Sequence, residues 1–236
     1  MKSLCFDGVV FDLDATLANL GKNVDWCKSQ DDVKKIYLYC GYEEEELERY
    51  SPGGLFNLLN IFSEKLALRS PKDEARKIQC KAFDVIEAYE MRGIKACSLM
   101  PGCLHVLDWL KERCILIGIC TSNSIKATDM VLDSCGIASY FSSIIGRNVE
   151  LRMKPNPDQI EACLREMNVE PKRAVMVGDS HNDILAGKAA GTFTVAIPVY
   201  FTRREALSDA KLDAVIKSLY ELPRVLLDLS SQIDLK

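Results

Sequence analysis

Short apolar runs that alternate with helix-period segments are the feature that most constrains the fold of this chain. Residues 9–13 form one such run, without a polar break before Asp12, as is typical of a strand buried on both faces. Similar runs occur at residues 114–123, 143–145, 173–180, 192–198 and 214–216. Strands that alternate with helices predict a parallel sheet with helices on both faces. The expected fold class is therefore α/β, with a doubly wound parallel sheet.

Residues 18–98 break this alternation, because they show helical periodicity without any strand-like run. Leu55, Leu58, Leu59, Phe62 and Leu66 follow the spacing of one apolar face of an amphipathic helix. Residues 33–40 and 78–89 show the same periodicity. We therefore predict two domains: a sheet-containing core made of residues 1–17 and 99–236, and an all-helical insert made of residues 18–98.

Composition excludes several classes of protein. The chain has 236 residues, 48% of them hydrophobic and 27% charged, which is a globular balance. Its net charge of −4 provides no basic field for nucleic acid or an anionic membrane, and no apolar run is long enough to span a bilayer. The ten cysteines form no CxxC pair and indicate reduced thiols. We expect a cytoplasmic protein that is a monomer or homodimer and binds neither nucleic acid nor membranes.

Polar clusters follow four of the predicted elements, where ligands bind in a doubly wound sheet. The clusters are residues 12–16, 121–123, 154–155 and 179–183. Taken alone, the aspartate clusters and residues 121–123 are equally compatible with helix capping or a turn, and Lys154 alone reads as an ordinary surface lysine. The four together, each at the end of a predicted strand, predict a single functional site.

The carboxylates in these clusters indicate a metal site. Asp12 and Asp14 are two residues apart, so in extended backbone they lie on the same side, roughly 6.6 Å apart. Two unpaired carboxylates there would repel each other, and a divalent cation relieves the repulsion. Asp179 and Asp183 follow another strand and add two more acids. Because the donors are oxygens and the chain has only two histidines, we expect Mg²⁺ rather than zinc.

The remaining polar groups suit a phosphate bound beside the metal. Thr121, Ser122 and Asn123 offer hydroxyl, amide and backbone N–H groups where a helix is predicted to begin. Lys154 adds a positive charge. Residues 156–159 read as a helix start with Asn as the N-cap and Gln in a capping box, which would fix Lys154 just upstream.

At this point the sequence resembles the haloacid dehalogenase-like hydrolase superfamily. The resemblance rests on "FDLDATL", on Thr121 in "CTSN", on Lys154 in "KPNPD" and on "GDSHND", four motifs that occur in this order. It covers nearly the whole chain. The resemblance implies a Rossmann-like core and identifies the helical insert as a cap domain placed after the first strand.

The resemblance also implies roles for these residues. Asp12 would be the nucleophile that forms an aspartyl-phosphate, Asp14 the acid and base, and Lys154 the group that neutralises charge. Thr121, Ser122 and Asn123, together with Lys154, would hold the phosphoryl group. Mg²⁺ would be bound by Asp12, Asp14 through its carbonyl, and Asp179, with Asp183 acting directly or through water.

The implied function is a Mg²⁺-dependent phosphatase acting on a phosphate monoester of a small metabolite, close to phosphoglycolate phosphatase in type. An acid at Asp14 favours phosphoryl transfer over dehalogenation, since carbon displacement needs no such acid. Three alternatives stay open. They are a β-phosphoglucomutase-like mutase, for which Arg69 and Arg76 are candidates by spacing, a phosphonatase-like enzyme with a cap lysine, and a noncatalytic binding protein on the same fold.

Two stretches carry specific expectations. The family pattern usually has glycine where this chain has Ala15, so we expect that the turn there uses ordinary φ or that the loop is displaced. The "YSPGGLF" stretch, residues 50–56, contains a Pro-Gly-Gly break that opens a helix. It is the best candidate in the cap for contact with the substrate, although a plain interhelical turn explains the pattern equally well.

Overall fold

A six-stranded parallel sheet forms the centre of the molecule in a computed structural model that describes residues 4–197 and 212–233. The strand order is β3-β2-β1-β4-β5-β6, and every pairing between neighbours is parallel. The strands are β1 (Gly8–Phe11), β2 (Leu116–Ser124), β3 (Ser143–Arg147), β4 (Ala174–Gly178), β5 (Phe193–Ala196) and β6 (Ala214–Val215). The predicted α/β class with a doubly wound parallel sheet is confirmed. Of the predicted strand 192–198, Pro198 lies outside the described residues.

The helices fall into two groups. Helices α1 (Trp26–Tyr39), α2 (Glu44–Tyr50), α3 (Leu55–Arg69) and α4 (Lys72–Gly93) lie between β1 and β2 in the chain. Helices α5 (Cys103–Lys111), α6 (Ile125–Ser134), α7 (Asp158–Met167), α8 (His181–Ala189) and α9 (Leu222–Ile233) accompany the later strands. Within the described ranges, no helix combines the length and the apolar character needed to cross a membrane.

Alternate residues of β1 belong to different hydrophobic clusters, as expected for a strand buried on both faces. Val9 and Phe11 pack in the cluster that contains side chains of α5, α6 and α9. Val10 packs in the cluster built mainly on α7, with Ala186 of α8. Both faces of the sheet are therefore covered by helices, which explains why the run reads as continuously apolar.

The helices inserted after β1 form a further hydrophobic cluster, which Met153 of the core also joins. Tyr37 stacks on Phe62 with ring centroids 4.8 Å apart, and Tyr42 meets Phe62 edge-on at 4.9 Å. Leu58 and Ile86 complete this cluster from α3 and α4. The apolar stripes read from the sequence thus face one another, which suits the proposed division into a core and a helical insert.

The turn after β1 differs from what the sequence led us to expect. Strand β1 ends at Phe11, and Leu17 N and Ala18 N both donate to the carbonyl oxygen of Leu13. Ala15 has φ of 58°, in the left-handed region, which rules out ordinary φ, the first of the two alternatives expected at this position. An L-residue pays about 1–2 kcal/mol there, and the turn holds it because Ala15 N donates to Ala18 O at 2.7 Å.

Close packing of β2 against α7 requires a glycine at position 118. A Cβ added to Gly118 would lie 2.3 Å from Cys163 Sγ and 3.1 Å from Met167 Cε. Since α7 also carries Gln159 toward the end of β2, this contact sets how closely the helix approaches the site.

We expect Gly118→Ala to lower the free energy of unfolding by about 2 kcal/mol, because overpacked cores typically lose about 1–3 kcal/mol. Cys163→Ala removes the clashing sulfur. The double variant should therefore lose less unfolding free energy than the sum of the losses in the two single variants, by about 1 kcal/mol or more. Urea denaturation of the wild type, both single variants and the double variant measures this coupling. Strict additivity would contradict the proposed clash.

Candidate active site

A cavity of about 380 Å³ opens at the carboxyl ends of the strands, where the strand order reverses between β1 and β4. The register pairs Phe11 with Val177, and Asp12 N donates to Val177 O at 2.9 Å. Asp12 and Asp179 therefore leave adjacent strands at nearly the same level. The lining residues are Asp12, Asp14, Trp26, Gly54, Leu55, Phe56, Thr121, Ser122, Asn123, Lys154, Asp179, Ser180, Asn182 and Asp183.

All the site residues predicted from the sequence line this one cavity, so the structure brings the four motifs together. Asp12, Lys154, Asp179 and Asp183 are each buried, whereas Asp14 and Ser122 are partly exposed. Lys154, which was expected at a strand end, lies instead in the turn before α7, since β3 ends at Arg147. Residues from three strand ends and from this turn thus converge on a single space. Their roles in chemistry remain predictions at this stage.

Lys154 is the electrostatic centre of the cavity. Its ammonium donates to Asp12 Oδ1 at 2.6 Å, to Asp183 Oδ1 at 2.5 Å and to the carbonyl oxygen of Cys120 at 3.0 Å. Burial opposes the positive charge, but the two carboxylates outweigh it and raise the pKa of Lys154 above its usual value. The lysine is therefore a fixed cation, with one acceptor for each of its three ammonium hydrogens.

Asp12, Asp179 and Asp183 form a carboxylate cluster that could hold a metal ion. One oxygen from each lies within 4.8 Å of the others, and all three residues are buried. Burial and repulsion from Asp183 and Asp12 raise the pKa of Asp179 to about 9. Burial likewise raises the pKa of Asp12, because Lys154 offsets it only partly. This excess of buried negative charge and the oxygen donors fit a divalent cation.

The side chain of Asp183 is held from both sides. While Oδ1 accepts from Lys154, Oδ2 accepts from the backbone N–H of Ser180 at 2.9 Å and from its hydroxyl at 2.6 Å. This arrangement is a capping box at the start of α8. Because both oxygens already have protein donors, Asp183 is better placed to orient Lys154 than to be a main metal ligand.

Asp14 is positioned by a residue that the sequence did not single out. Its Oδ1 accepts a hydrogen bond of 2.7 Å from the backbone N–H of Gly21, which begins a short 3₁₀ helix. Burial raises the pKa of Asp14, and the Gly21 N–H opposes this only in part. A Cβ on Gly21 would lie 2.0 Å from Asp14 Oδ2. Only glycine lets the backbone approach the carboxylate this closely.

The last residues of β2, 121–124, are ordered in part by their own side chains. The Thr121 hydroxyl donates to Asn123 Oδ1 at 2.9 Å, and Asn123 N donates to Thr121 Oγ1 at 3.2 Å. Gln159 donates from Nε2 to the carbonyl oxygens of Thr121 and Gly146, both at 3.1 Å. Gln159 therefore steadies this segment. The expected Asn156 cap and Gln159 capping box were wrong, since α7 begins at Asp158 without a side-chain cap.

The helical insert supplies the opposite wall of the cavity. Gly54, Leu55 and Phe56 line it from the start of α3, where Gly54 has φ of 83°. Trp26 completes this wall; its indole N–H donates to Gly21 O at 2.9 Å and its ring meets Phe56 edge-on at 5.5 Å. The "YSPGGLF" stretch thus faces the site through residues 54–56, rather than forming only an interhelical turn.

Arg69 and Arg76, the arginines considered for a sugar-phosphate clamp, do not line the cavity. Arg69 lies over the ring of Tyr42 at 4.5 Å, and Arg76 pairs with Glu150 at 2.5 Å. Lys154 is the only basic side chain among the described residues that line it.

The family model for haloacid dehalogenase-like hydrolases matches residues 9–197, most of the chain. The chain belongs to this family. The predicted family and the prediction of an enzyme are thereby confirmed. The matched residues run from β1 to β5 and so include every candidate site residue.

Similar proteins agree with this assignment and differ in their stated activity. The chain is 29% identical to phosphoglycolate phosphatase of Vibrio vulnificus (strain YJ016), across 93% of this chain and 95% of that protein. It is 26% identical to pyrophosphatase PpaX of Bacillus pumilus (strain SAFR-032), across 94% and 97%. A predicted phosphatase from Clostridium acetobutylicum has the same fold, with a TM-score of 0.68, 22% identity, and coverage of 96% and 100%.

We expect this hydrolase to bind one divalent cation through the carboxylate cluster. Asp179→Asn should weaken binding of Mn²⁺, used as a spectroscopic probe, at least roughly tenfold because an anionic donor is lost. Electron paramagnetic resonance titration measures the free ion. Asp129→Asn, an exposed change on α6, is the matched control and should bind like the wild type. Equal affinity of Asp179→Asn and the wild type would exclude this metal site.

Proposed function

We propose that the protein is a Mg²⁺-dependent phosphatase that hydrolyses a phosphate monoester of a small metabolite through an aspartyl-phosphate intermediate. The observation that carries the proposal is the contact between Lys154 and Asp12 at 2.6 Å, inside a cavity that also holds a buried carboxylate cluster. A carboxylate nucleophile needs a fixed cation beside it to approach an anionic phosphoryl group, and Lys154 is that cation.

The first step is attack by an Asp12 oxygen on phosphorus. The bond from phosphorus to the ester oxygen breaks, its electron pair stays on that oxygen, and Asp14 gives it a proton. Asp14 fits this role because it lines the same cavity as Asp12 and is held by the Gly21 N–H at 2.7 Å. The alcohol leaves, and Asp12 carries the phosphoryl group as an acyl phosphate.

The second step is hydrolysis of that acyl phosphate. Asp14, now a carboxylate, removes a proton from a water molecule whose oxygen attacks phosphorus, and the bond from phosphorus to the Asp12 oxygen breaks. Asp12 is regenerated and inorganic phosphate is released. One residue therefore serves first as acid and then as base.

Phosphoryl oxygens are held by the segment from Thr121 to Asn123 and by Lys154. Ser122, the most exposed of the three, lines the cavity with its side chain free to turn toward the phosphate. Asn123 acts by fixing Thr121, because its side chain is engaged with Thr121 and Glu90 and its backbone N–H donates to Thr121 Oγ1. Asp12, Asp179 and the Asp14 carbonyl would hold Mg²⁺, which when bound offsets the negative charge of the phosphoryl group.

We infer that residues 18–98 act as a cap domain that shields the reaction from water. Trp26 and residues 54–56 form the wall that faces the catalytic motifs, so they contact the leaving group. The relatives include a phosphoglycolate phosphatase, which supports a small phosphorylated metabolite as substrate. The absence of Arg69 and Arg76 from this wall disfavours a mutase-type clamp for a second phosphate.

A phosphonatase-like reaction is less well supported. It needs a cap lysine at the substrate, but the candidate lysines of the insert do not line the cavity; these are Lys22, Lys28, Lys34, Lys35 and Lys65. Three of them pair with acids: Lys34 with Glu48, Lys35 with Asp32, and Lys65 with Glu46.

Turnover of p-nitrophenyl phosphate tests the proposal. We expect hydrolysis with Mg²⁺, loss of activity in EDTA and recovery when Mg²⁺ is restored. Asp12→Asn should lower kcat by about a thousandfold or more because the nucleophile is removed, whereas Asp129→Asn should keep wild-type activity. Equal rates for wild type and Asp12→Asn, or no turnover with any divalent metal, would refute the enzyme mechanism.

Gly21→Ala tests the positioning of Asp14. The added methyl group would lie 2.0 Å from the carboxylate and displace it, and a shift of about 1 Å in a catalytic group costs on the order of a hundredfold in rate. We therefore expect kcat to fall more than KM changes.

Gly53→Ala is the matched control for Gly21→Ala. It is also a glycine of the insert, and the three atoms nearest to its added methyl group all belong to the side chain of the exposed Asn57, with Nδ2 at 2.2 Å, which can move away. If both variants keep full kcat, the contact between Gly21 and Asp14 has no role in proton transfer.

A further inference from the structure

A fully buried ion pair joins the helical insert to the phosphate-binding segment. Glu90 lies in the last turn of α4, and Arg147 is the final residue of β3. The guanidinium contacts both carboxylate oxygens, with Nη1 to Oε1 at 2.9 Å and Nη2 to Oε2 at 3.0 Å. Both side chains are completely shielded from solvent. This bidentate geometry is the strongest form of such a pair.

Glu90 also accepts two hydrogen bonds from the phosphate-binding segment. Asn123 Nδ2 donates to Oε1 at 3.1 Å, and the backbone N–H of Ser124 donates to Oε2 at 3.1 Å. Arg147 adds a third link through Nη1 to the carbonyl oxygen of Ser122, at 2.6 Å. Every residue from Ser122 to Ser124 is therefore tied to the ion pair.

The location of Glu90 is unfavourable without these partners. A carboxylate in the last turn of a helix faces the negative end of the helix dipole, and burial removes its hydration. Buried ion pairs contribute little net stability compared with apolar side chains of similar volume. The pair is therefore poorly explained by stability alone, and its effect on the orientation of Asn123 is the better explanation.

Asn123 is the link between the ion pair and the phosphate site. Its amide nitrogen donates to Glu90, and its amide oxygen accepts from the Thr121 hydroxyl at 2.9 Å. The Glu90 carboxylate thus fixes the Asn123 amide with its oxygen toward Thr121. This in turn fixes the direction in which the Thr121 hydroxyl donates its hydrogen bond. Reversing the amide would bring its oxygen against Glu90, which is strongly disfavoured.

We propose that Glu90, held by Arg147, is a positioning residue that orders the phosphate-binding segment of residues 121–124 from the cap side. The segment adopts its phosphate-binding geometry when the C-terminal end of α4 is docked against β2 and β3. Occupation of the site by phosphate and docking of this helix end are therefore coupled. This inference rests on the proposed function only in taking residues 121–123 as the phosphate site.

A second ion pair between the same parts of the molecule provides a matched control. Glu87, one turn earlier on α4, pairs with Lys126 of α6 at 3.5 Å, and the lysine side chain is 63% exposed. Neither residue has a hydrogen bond to residues 121–124 among the described contacts. Exposed pairs of this kind contribute little, so this pair crosses the same interface without the proposed role.

The test replaces each pair by two methionines. Glu90→Met alone would leave Arg147 buried and unpaired and could unfold the protein. The double variant Glu90→Met/Arg147→Met is used because apolar replacement of a whole buried pair is often neutral for stability. Glu87→Met/Lys126→Met is the control. Urea denaturation of the full chain identifies the variants with a cooperative transition near that of the wild type.

Two measurements then separate positioning from stability. Hydrogen exchange by mass spectrometry should show at least tenfold faster exchange of the amides of residues 122–124 in Glu90→Met/Arg147→Met, with strands β1 and β4 unchanged. Calorimetric titration with inorganic phosphate in the presence of Mg²⁺ should show at least tenfold weaker binding. The control variant should match the wild type in both measurements.

Wild-type exchange at residues 122–124 in Glu90→Met/Arg147→Met would overturn the proposal, whatever the activity. If instead the proposed function fails, the wild type will hydrolyse no phosphate ester, while the exchange comparison still decides the positioning role. If the double variant does not fold, the test uses Asn123→Asp instead, in which the new carboxylate faces that of Glu90. That variant should show the same faster exchange, and wild-type exchange there would also overturn the proposal.

Discussion

The three hydrogen bonds of the Lys154 ammonium are the interaction on which the site depends. Lys154 lies in the connection between β3 and α7. Its ammonium nevertheless contacts Asp12 after β1, Asp183 in α8 and the carbonyl oxygen of Cys120 in β2. Without this cation, the buried carboxylates at the ends of β1 and β4 would carry unbalanced negative charge. One buried cation therefore fixes the relative positions of three strand-end segments.

The inserted helices complete the site from the other side. Gly21 holds Asp14 soon after β1, Trp26 and Phe56 form a wall over the motifs, and Glu90 binds the end of β2 from the far end of the insert. The insert thus contacts the four sequence motifs of the site close to both of its connections with the core. An insert built in this way can influence the geometry of the site as well as access to it.

Much of the site could be predicted from the sequence. Asp12, Asp14, Thr121, Lys154, Asp179 and Asp183 were found because each lies in a short motif at the end of a strand or before a helix, and parallel strands bring such ends together. The fold class followed from apolar periodicity for a similar reason. What failed were statements that need exact local geometry, such as ordinary φ at Ala15 and the Asn156 cap.

The sequence by itself determined the class of fold and the chemical groups available to the site, because strand and helix periodicity and strand-end motifs are local signals. Only the tertiary structure decided how those groups are held. Glu90 and Arg147 are 57 residues apart in the chain, and Gln159 lies 38 residues from Thr121, so no local pattern marks these contacts. Buried polar groups must find partners in three dimensions, and those partners come from distant parts of the chain.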